Sequence, residues 1–218
     1  MKMQEYEQLL TMNYSELVDH LLKKYGPGRD DYFKENSYNR FMNGEIKIIT
    51  KGKYSRTLEG LYAHHIDEDK YLKISDQNFI KKYKYPFELQ KANRLIYCDL
   101  IEHTILHAII SKETDGEFGF LGYDIYLRPM FEDWYLTQNR PQKSKWHQNC
   151  YDKSYIPQSL AMELLKKIEE ILPLTLQHDY RNKIAKQRLL EYQKARKDDI
   201  ASQNNEITEN QTKEAFHI

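Results

Sequence analysis

Two stretches decide the reading: AHHID at residues 63–67 and, after a polar connection, ANRLIYCDLIEHTILH at 92–107. In the second, Leu100, Ile101, Ile105, Leu106, Ile109 and Ile110 recur on a helical period, so 100–110 reads as a helix. Arg94 to Cys98 before it is short, apolar and β-prone, and Thr57 to Ile66 reads as another strand that ends on the two histidines. His103 and His107 stand four apart on the helix, so both imidazoles project from one face about one turn apart, where two nitrogens can meet one cation. His64 and His65 are neighbours in a strand and point to opposite faces. One can join the helical pair while the other faces outward to a substrate. That division suits metal-assisted hydrolysis, in which a cation neutralises a phosphate and its leaving oxygen while a separate base of near-neutral pKa deprotonates water. An isolated H-x-x-x-H or HH arises often by chance; their order along the chain carries the argument.

Outward from this centre, Leu17, Val18, Leu21, Leu22 and Tyr25 define a helix from Tyr14 to Tyr25 that Gly26-Pro27 stops. Asn43-Gly44 signals a turn, followed by a strand candidate from Ile46 to Thr50. Residues 67–92 are polar and lysine-rich, with Tyr85-Pro86 limiting any helix to about Asn78–Tyr83. Phe118 to Phe131 reads as loop or strand. Ser159 to Leu172 is amphipathic, entered through Pro157 and stopped before Pro173. Ile184, Leu189, Leu190 and Tyr192 support one more helix to about Lys197, whereas 198–218 is too polar to bury a core of its own.

Composition sets wide bounds. A chain of 218 residues suits one domain with extensions. Lys plus Arg and Asp plus Glu both total 33, so net charge gives no overall attraction to a polyanion. Cys98 and Cys150 are too few for a disulfide framework and form no C-x-x-C, which points to a reducing interior. The N-terminus reads as neither a signal peptide nor a membrane span, so a cytoplasmic protein without a membrane partner is expected. The 18 tyrosines suit base stacking or half-buried core equally.

The two quoted stretches resemble the HNH, or His-Me finger, nuclease family over roughly residues 57–110. The resemblance implies a ββα-metal finger; with the helices and polar tail read above, the expected fold is α+β, the finger embedded in a mainly helical single domain with a polar, partly disordered C-terminal tail. Its divisions are an N-terminal helix and basic hairpin region (1–56), the nuclease core (57–112), an aromatic-rich connection with C-terminal helices (113–197) and the tail (198–218). The resemblance further implies His64, His103 and His107 as ligands of one divalent cation (Mg, Mn, Ni or Zn), His65 as general base, and Asn93 as the residue that orients it. Many members carry C-x-x-C zinc pairs around the finger, and this chain has none. The span from His65 to Asn93 is also longer than in compact members. The implied activity is that of a metal-dependent endonuclease cleaving DNA, of phage, mobile-element or defence type. The alternatives are an HNH-like ribonuclease or toxin, and a non-catalytic metal-binding interaction protein. Phosphate contacts are expected from Lys51, Lys53, Arg56, Lys81, Lys82, Lys84 and Arg94. Glu102, Asp99 and Asp67 are candidate partners for the ligand histidines. The C-terminal helices offer a surface for a second copy or a protein partner.

Overall fold

The structure, a computed structural model, describes residues 2–142 and 144–215, with side chains described to residue 197. The chain divides into two compact units that meet in sequence at Pro173 and Leu174. The first is mainly helical and carries one two-stranded antiparallel sheet. Helices α1 (Lys2–Leu9), α2 (Tyr14–Tyr25) and α3 (Glu35–Met42) precede strand β1 (Tyr62–His65). Helix α4 (Gln77–Tyr83) lies between β1 and strand β2 (Leu95–Cys98), and helix α5 (Leu100–Glu113) follows directly. The second unit holds a short 3-10 turn at Leu174–Leu176 and the long helix α10 (His178–Ala215), which takes in most of the polar tail. Residues 216–218 lie outside the described residues.

Local chemistry accounts for the boundaries. Asn13 caps α2 and shares a reciprocal capping box with Glu16, and Gly26 at φ 78° ends it. Asp99 and Glu102 repeat that device at the start of α5. Because Asp99 adjoins β2, the cap also sets the angle at which the helix leaves the sheet. From Leu100 to Ser111 every residue of α5 except His103 is buried. Helices α1, α2 and α9 (Gln158–Ile171) pack on α5, making it the axis of the unit. Strand β2 is buried at all four positions, and its Leu95 stands opposite His65 and its Ile96 opposite His64.

Several expectations need correction. Ile46 to Thr50 forms no strand; the single bridge nearby pairs Phe33 with Lys51. Only Tyr62–His65 of the proposed 57–66 strand is extended, since Thr57–Glu59 is a 3-10 turn closed by Gly60. Phe118 to Phe131, read as loop or strand, follows a helical path from Phe120 that continues to Leu136. Its pieces are α6 (Phe120–Gly122), a π-helical stretch (Tyr123–Leu127), α7 (Arg128–Phe131) and a second π-helical stretch (Glu132–Leu136). Helix α8 (Lys145–Ser154) was likewise not legible. The long connection between the strands is no open loop. Ile74, Ile80, Tyr85, Phe87 and Leu89 from it pack with Phe33, Tyr38, Phe41 and Ile49 into a core of their own. The Tyr38 hydroxyl donates to the Tyr85 carbonyl inside that core.

Candidate metal centre

Two elements deliver the three histidines. Strand β1 brings His64 beneath α5, and the 3.6-residue period of α5 turns His103 and His107 toward it. One nitrogen of each ring lies within 4.8 Å of the corresponding nitrogen of the other two. Ring centroids are 5.3 Å apart for His64–His103 and for His64–His107, and 5.0 Å for His103–His107. Nitrogens bound to a zinc-like ion at 2.0–2.1 Å would be about 3.4 Å apart in a tetrahedron, so small ring rotations close the set.

Hydrogen-bond accounting fixes which nitrogens are free. The Tyr14 hydroxyl donates to the Ile66 carbonyl at 2.8 Å, which uses its only proton. His64 Nε2, 3.0 Å from the same hydroxyl, must therefore be the donor to it. A neutral His64 then keeps a bare lone pair on Nδ1, a buried atom with no hydrogen-bond partner. His103 Nδ1 is buried and unpartnered in the same way. His107 Nδ1 lies 2.9 Å from the Gly119 carbonyl, which can only accept, so Nδ1 carries the proton and Nε2 is turned to the cluster. The three imidazoles could hold a cation, which would satisfy these orphaned nitrogens, and such a donor set suits Zn, Ni, Co or Mn.

Glycines make room for this arrangement. Gly119 has φ +72°, in the left-handed region, and presents its carbonyl to His107. At Gly122 an added Cβ would stand 2.5 Å from His107 Cε1 and 2.6 Å from Nδ1, so only glycine admits the ring.

His65 occupies the opposite side of β1 and is not part of the mutual set. It does not face outward: it is 2 % exposed, with the Tyr32 ring at 4.6 Å between centroids. Gln90 donates through Nε2 to the Ile74 carbonyl at 2.9 Å, and its Oε1 lies 3.1 Å from His65 Nε2. The amide oxygen accepts, so His65 carries its proton on Nε2 and a lone pair on Nδ1. Asn93, expected to orient this ring, is exposed in the turn before β2 and makes no hydrogen bond to it. The packed core between the strands brings Gln90 to that place instead.

Glu68 was missed altogether. It is the third residue of the 3-10 turn Ile66–Asp69, where its Oε1 caps the His65 backbone N–H at 3.4 Å. The same Oε1 lies 3.7 Å from Nδ1 of both His64 and His65, and Oε2 lies 3.2 Å from His107 Nε2. Its side chain keeps 22 % exposure, and with His107 it lines a pocket formed with Tyr71, Phe118, Gly119 and Tyr126.

Electrostatics divide the rings. Burial lowers the His64 pKa to about 3, with His107 and His65 adding to the effect against Glu68. Burial, together with His107 and His64, places His103 well below the usual imidazole value. For His107 burial acts the same way, but the hydrogen bond and charge of Glu68 and the Gly119 carbonyl prevail and raise it. Burial opposes ionisation of Glu68, yet the surrounding histidines hold its carboxyl well below the carboxylate range. At neutral pH, His64 and His103 are thus neutral, the form that binds metal.

The acids expected beside the ligands are used elsewhere. Glu102 bonds Lys24 and Tyr25, Asp99 accepts from Tyr6, and Asp67 pairs with Arg94. Among the expected phosphate contacts, Arg56 is 9 % exposed, donates to Glu59 and the Tyr25 carbonyl, and stacks 4.8 Å from the Tyr97 ring. Arg94 is held by Asp67. Both guanidinium groups are therefore committed within the fold. Lys51, Lys53, Lys81, Lys82 and Lys84 are exposed. The last three lie on α4 and its left-handed cap at Lys84, over the core between the strands. No helix among the described residues is long and apolar enough to cross a membrane.

Comparison with family models, curated proteins and solved structures finds no match.

Proposed function

We propose that the chain is a metal-dependent phosphodiesterase acting on nucleic acid, of the HNH type and with DNA as its substrate. One observation carries the reading: three imidazoles converge at the junction of an antiparallel strand pair and the following helix, while the adjacent His65 stands apart from them. That order of strand, strand and helix is the one a ββα-metal finger requires. His64 Nδ1, one nitrogen of His103 and His107 Nε2 would hold the ion. When bound, a divalent cation supplies positive charge to a phosphate oxygen and the leaving oxygen.

The protein's own groups supply the rest. His65 Nδ1 has the free lone pair a general base needs, and it accepts a proton from the attacking water. The Gln90 oxygen, already bonded to Nε2–H, stabilises the imidazolium that results. Tyr14 and Gly119 keep His64 and His107 in the tautomers that bind metal. Of the exposed lysines expected to contact phosphate, Lys51 and Lys53 lie nearest in sequence to β1.

A second reading, a closed metal site with a binding or structural role, draws on the near-complete burial of His64 and His65. Replacing His65 by alanine separates the two. Plasmid, single-stranded DNA and RNA are offered to the apo protein with added Mn, Mg, Ni or Zn. Loss of cleavage with metal binding intact supports the nuclease; cleavage unaffected by the change sinks the assigned base. Absence of cleavage by the unaltered protein with every metal and substrate favours the second reading.

A further inference from the structure

We propose that Glu68 is a fourth ligand of the cation held by His64, His103 and His107, occupying the position that a substrate oxygen must take. This rests on the three-histidine centre proposed above and goes beyond it, because neither the spacing of the histidines nor the family resemblance assigns a role to this residue.

The argument is one of donors and acceptors. His64 has committed its proton to Tyr14 and His107 its Nδ1 proton to Gly119, so each ring in its neutral form presents a lone pair to Glu68. The carboxylate also has only lone pairs to offer. Acceptors facing one another at 3.2 Å and 3.7 Å repel unless something positive lies between them. A proton can serve the His107–Glu68 edge alone and leaves Nδ1 of His64 and of His103 buried and orphaned. A cation serves every one of these atoms together.

The separations from His64 and His107 fit that assignment, whereas the set within 4.8 Å of one another comprises the three histidines alone, so the carboxylate has to close in toward His103 as the ion binds. Metal–nitrogen and metal–oxygen bonds of about 2.0–2.2 Å place neighbouring ligand atoms of a tetrahedron about 3.3–3.5 Å apart, between the two values observed. Local structure also presents the carboxylate. Glu68 is the third residue of a 3-10 turn whose capping bond to the His65 N–H aims Oε1 at the cluster. Unlike buried His64, it keeps 22 % exposure and borders the pocket containing Tyr71 and Tyr126. It is thus a ligand with a route to solvent. An incoming phosphate oxygen can displace it, while the three imidazoles stay in place.

Metal binding tests this without reference to turnover. Cobalt(II) and zinc are titrated into the full-length apo protein, its Glu68→Gln and Glu68→Asp variants, and His103→Ala. Dissociation constants come from competition with a chromophoric chelator and coordination from the visible absorption of cobalt. Far-UV circular dichroism checks each fold. The unaltered protein is expected to bind one ion, Glu68→Gln to bind at least tenfold more weakly with an altered cobalt spectrum, and His103→Ala to lose binding. Should Glu68→Gln fail to fold, Glu68→Asp carries the measurement, because retracting the carboxylate by one methylene also weakens binding. A foldable Glu68 variant with unchanged affinity and spectrum, beside a His103→Ala that has lost the ion, overturns the role of Glu68 alone. No binding by the unaltered protein overturns the three-histidine centre itself.

Discussion

Replacing Gly122 by alanine probes the centre from outside its ligands. The new methyl group would lie 2.5 Å from His107 Cε1, whereas ordinary contact begins at 3.4 Å, so one partner must yield by about 0.9 Å. His107 is 7 % exposed and tied through Nδ1 to Gly119, so it cannot swing into solvent. Ligand distances tolerate only about 0.2 Å, far less than this displacement. The expected cost to metal affinity is about 10–100-fold, or roughly 1.4–2.8 kcal/mol, as for disturbed support around other metal ligands. Overpacking adds about 1–3 kcal/mol of destabilisation to the apo fold. Calorimetric titration with zinc measures the first quantity, and urea unfolding of the apo protein the second. Wild-type affinity together with wild-type stability would refute the placement of Gly122 against His107.

Three more outcomes follow from the same geometry. Tyr14→Phe removes the acceptor that holds the His64 tautomer, and zinc affinity should fall about tenfold or more in chelator competition; an unchanged constant would deny Tyr14 that role. Gln90→Leu should lower kcat about tenfold or more while leaving zinc affinity intact, because it touches His65 and none of the ligands. A drop in metal affinity instead would place Gln90 in support of the centre. The metal-free chain should lose stability on acidification. His64 titrates near 6.5 when unfolded and near 3 when folded, so between those values the unfolded state binds more protons and stability rises with pH. Glu68, whose folded value is depressed, adds a loss below the ordinary carboxylate range, while the raised His107 value partly offsets the His64 effect. Urea midpoints at pH 7.5, 6 and 5 should fall in that order, and less steeply for His64→Asn; midpoints that rise toward pH 5 would contradict the buried neutral imidazole.

What the sequence determined by itself is local. Asn13, Glu16 and Gly26 bound α2, Asp99 and Glu102 start α5, and the 3.6-residue period sets His103 and His107 on one face, because caps and periodicity act over a few residues. Adjacency in a strand likewise separated His64 from His65. Only the tertiary structure decided which groups complete the centre. Tyr14, Gln90, Gly119 and Gly122 are 50, 25, 12 and 15 residues from the histidines they touch, and no periodicity links such partners. The same holds for Arg94, whose partner Asp67 is 27 residues away, and for the bond from Arg56 to the Tyr25 carbonyl, 31 residues away, whereas the pairing of Arg56 with Glu59 is local. Glu68 is the intermediate case. It is close enough in sequence to be noticed beside His64 and His65, yet its carboxylate meets His107 only because α5 crosses above the turn that carries it. Side-chain chemistry is written in the chain, whereas the pairing of donors with acceptors awaits the packing that brings them within about 3 Å.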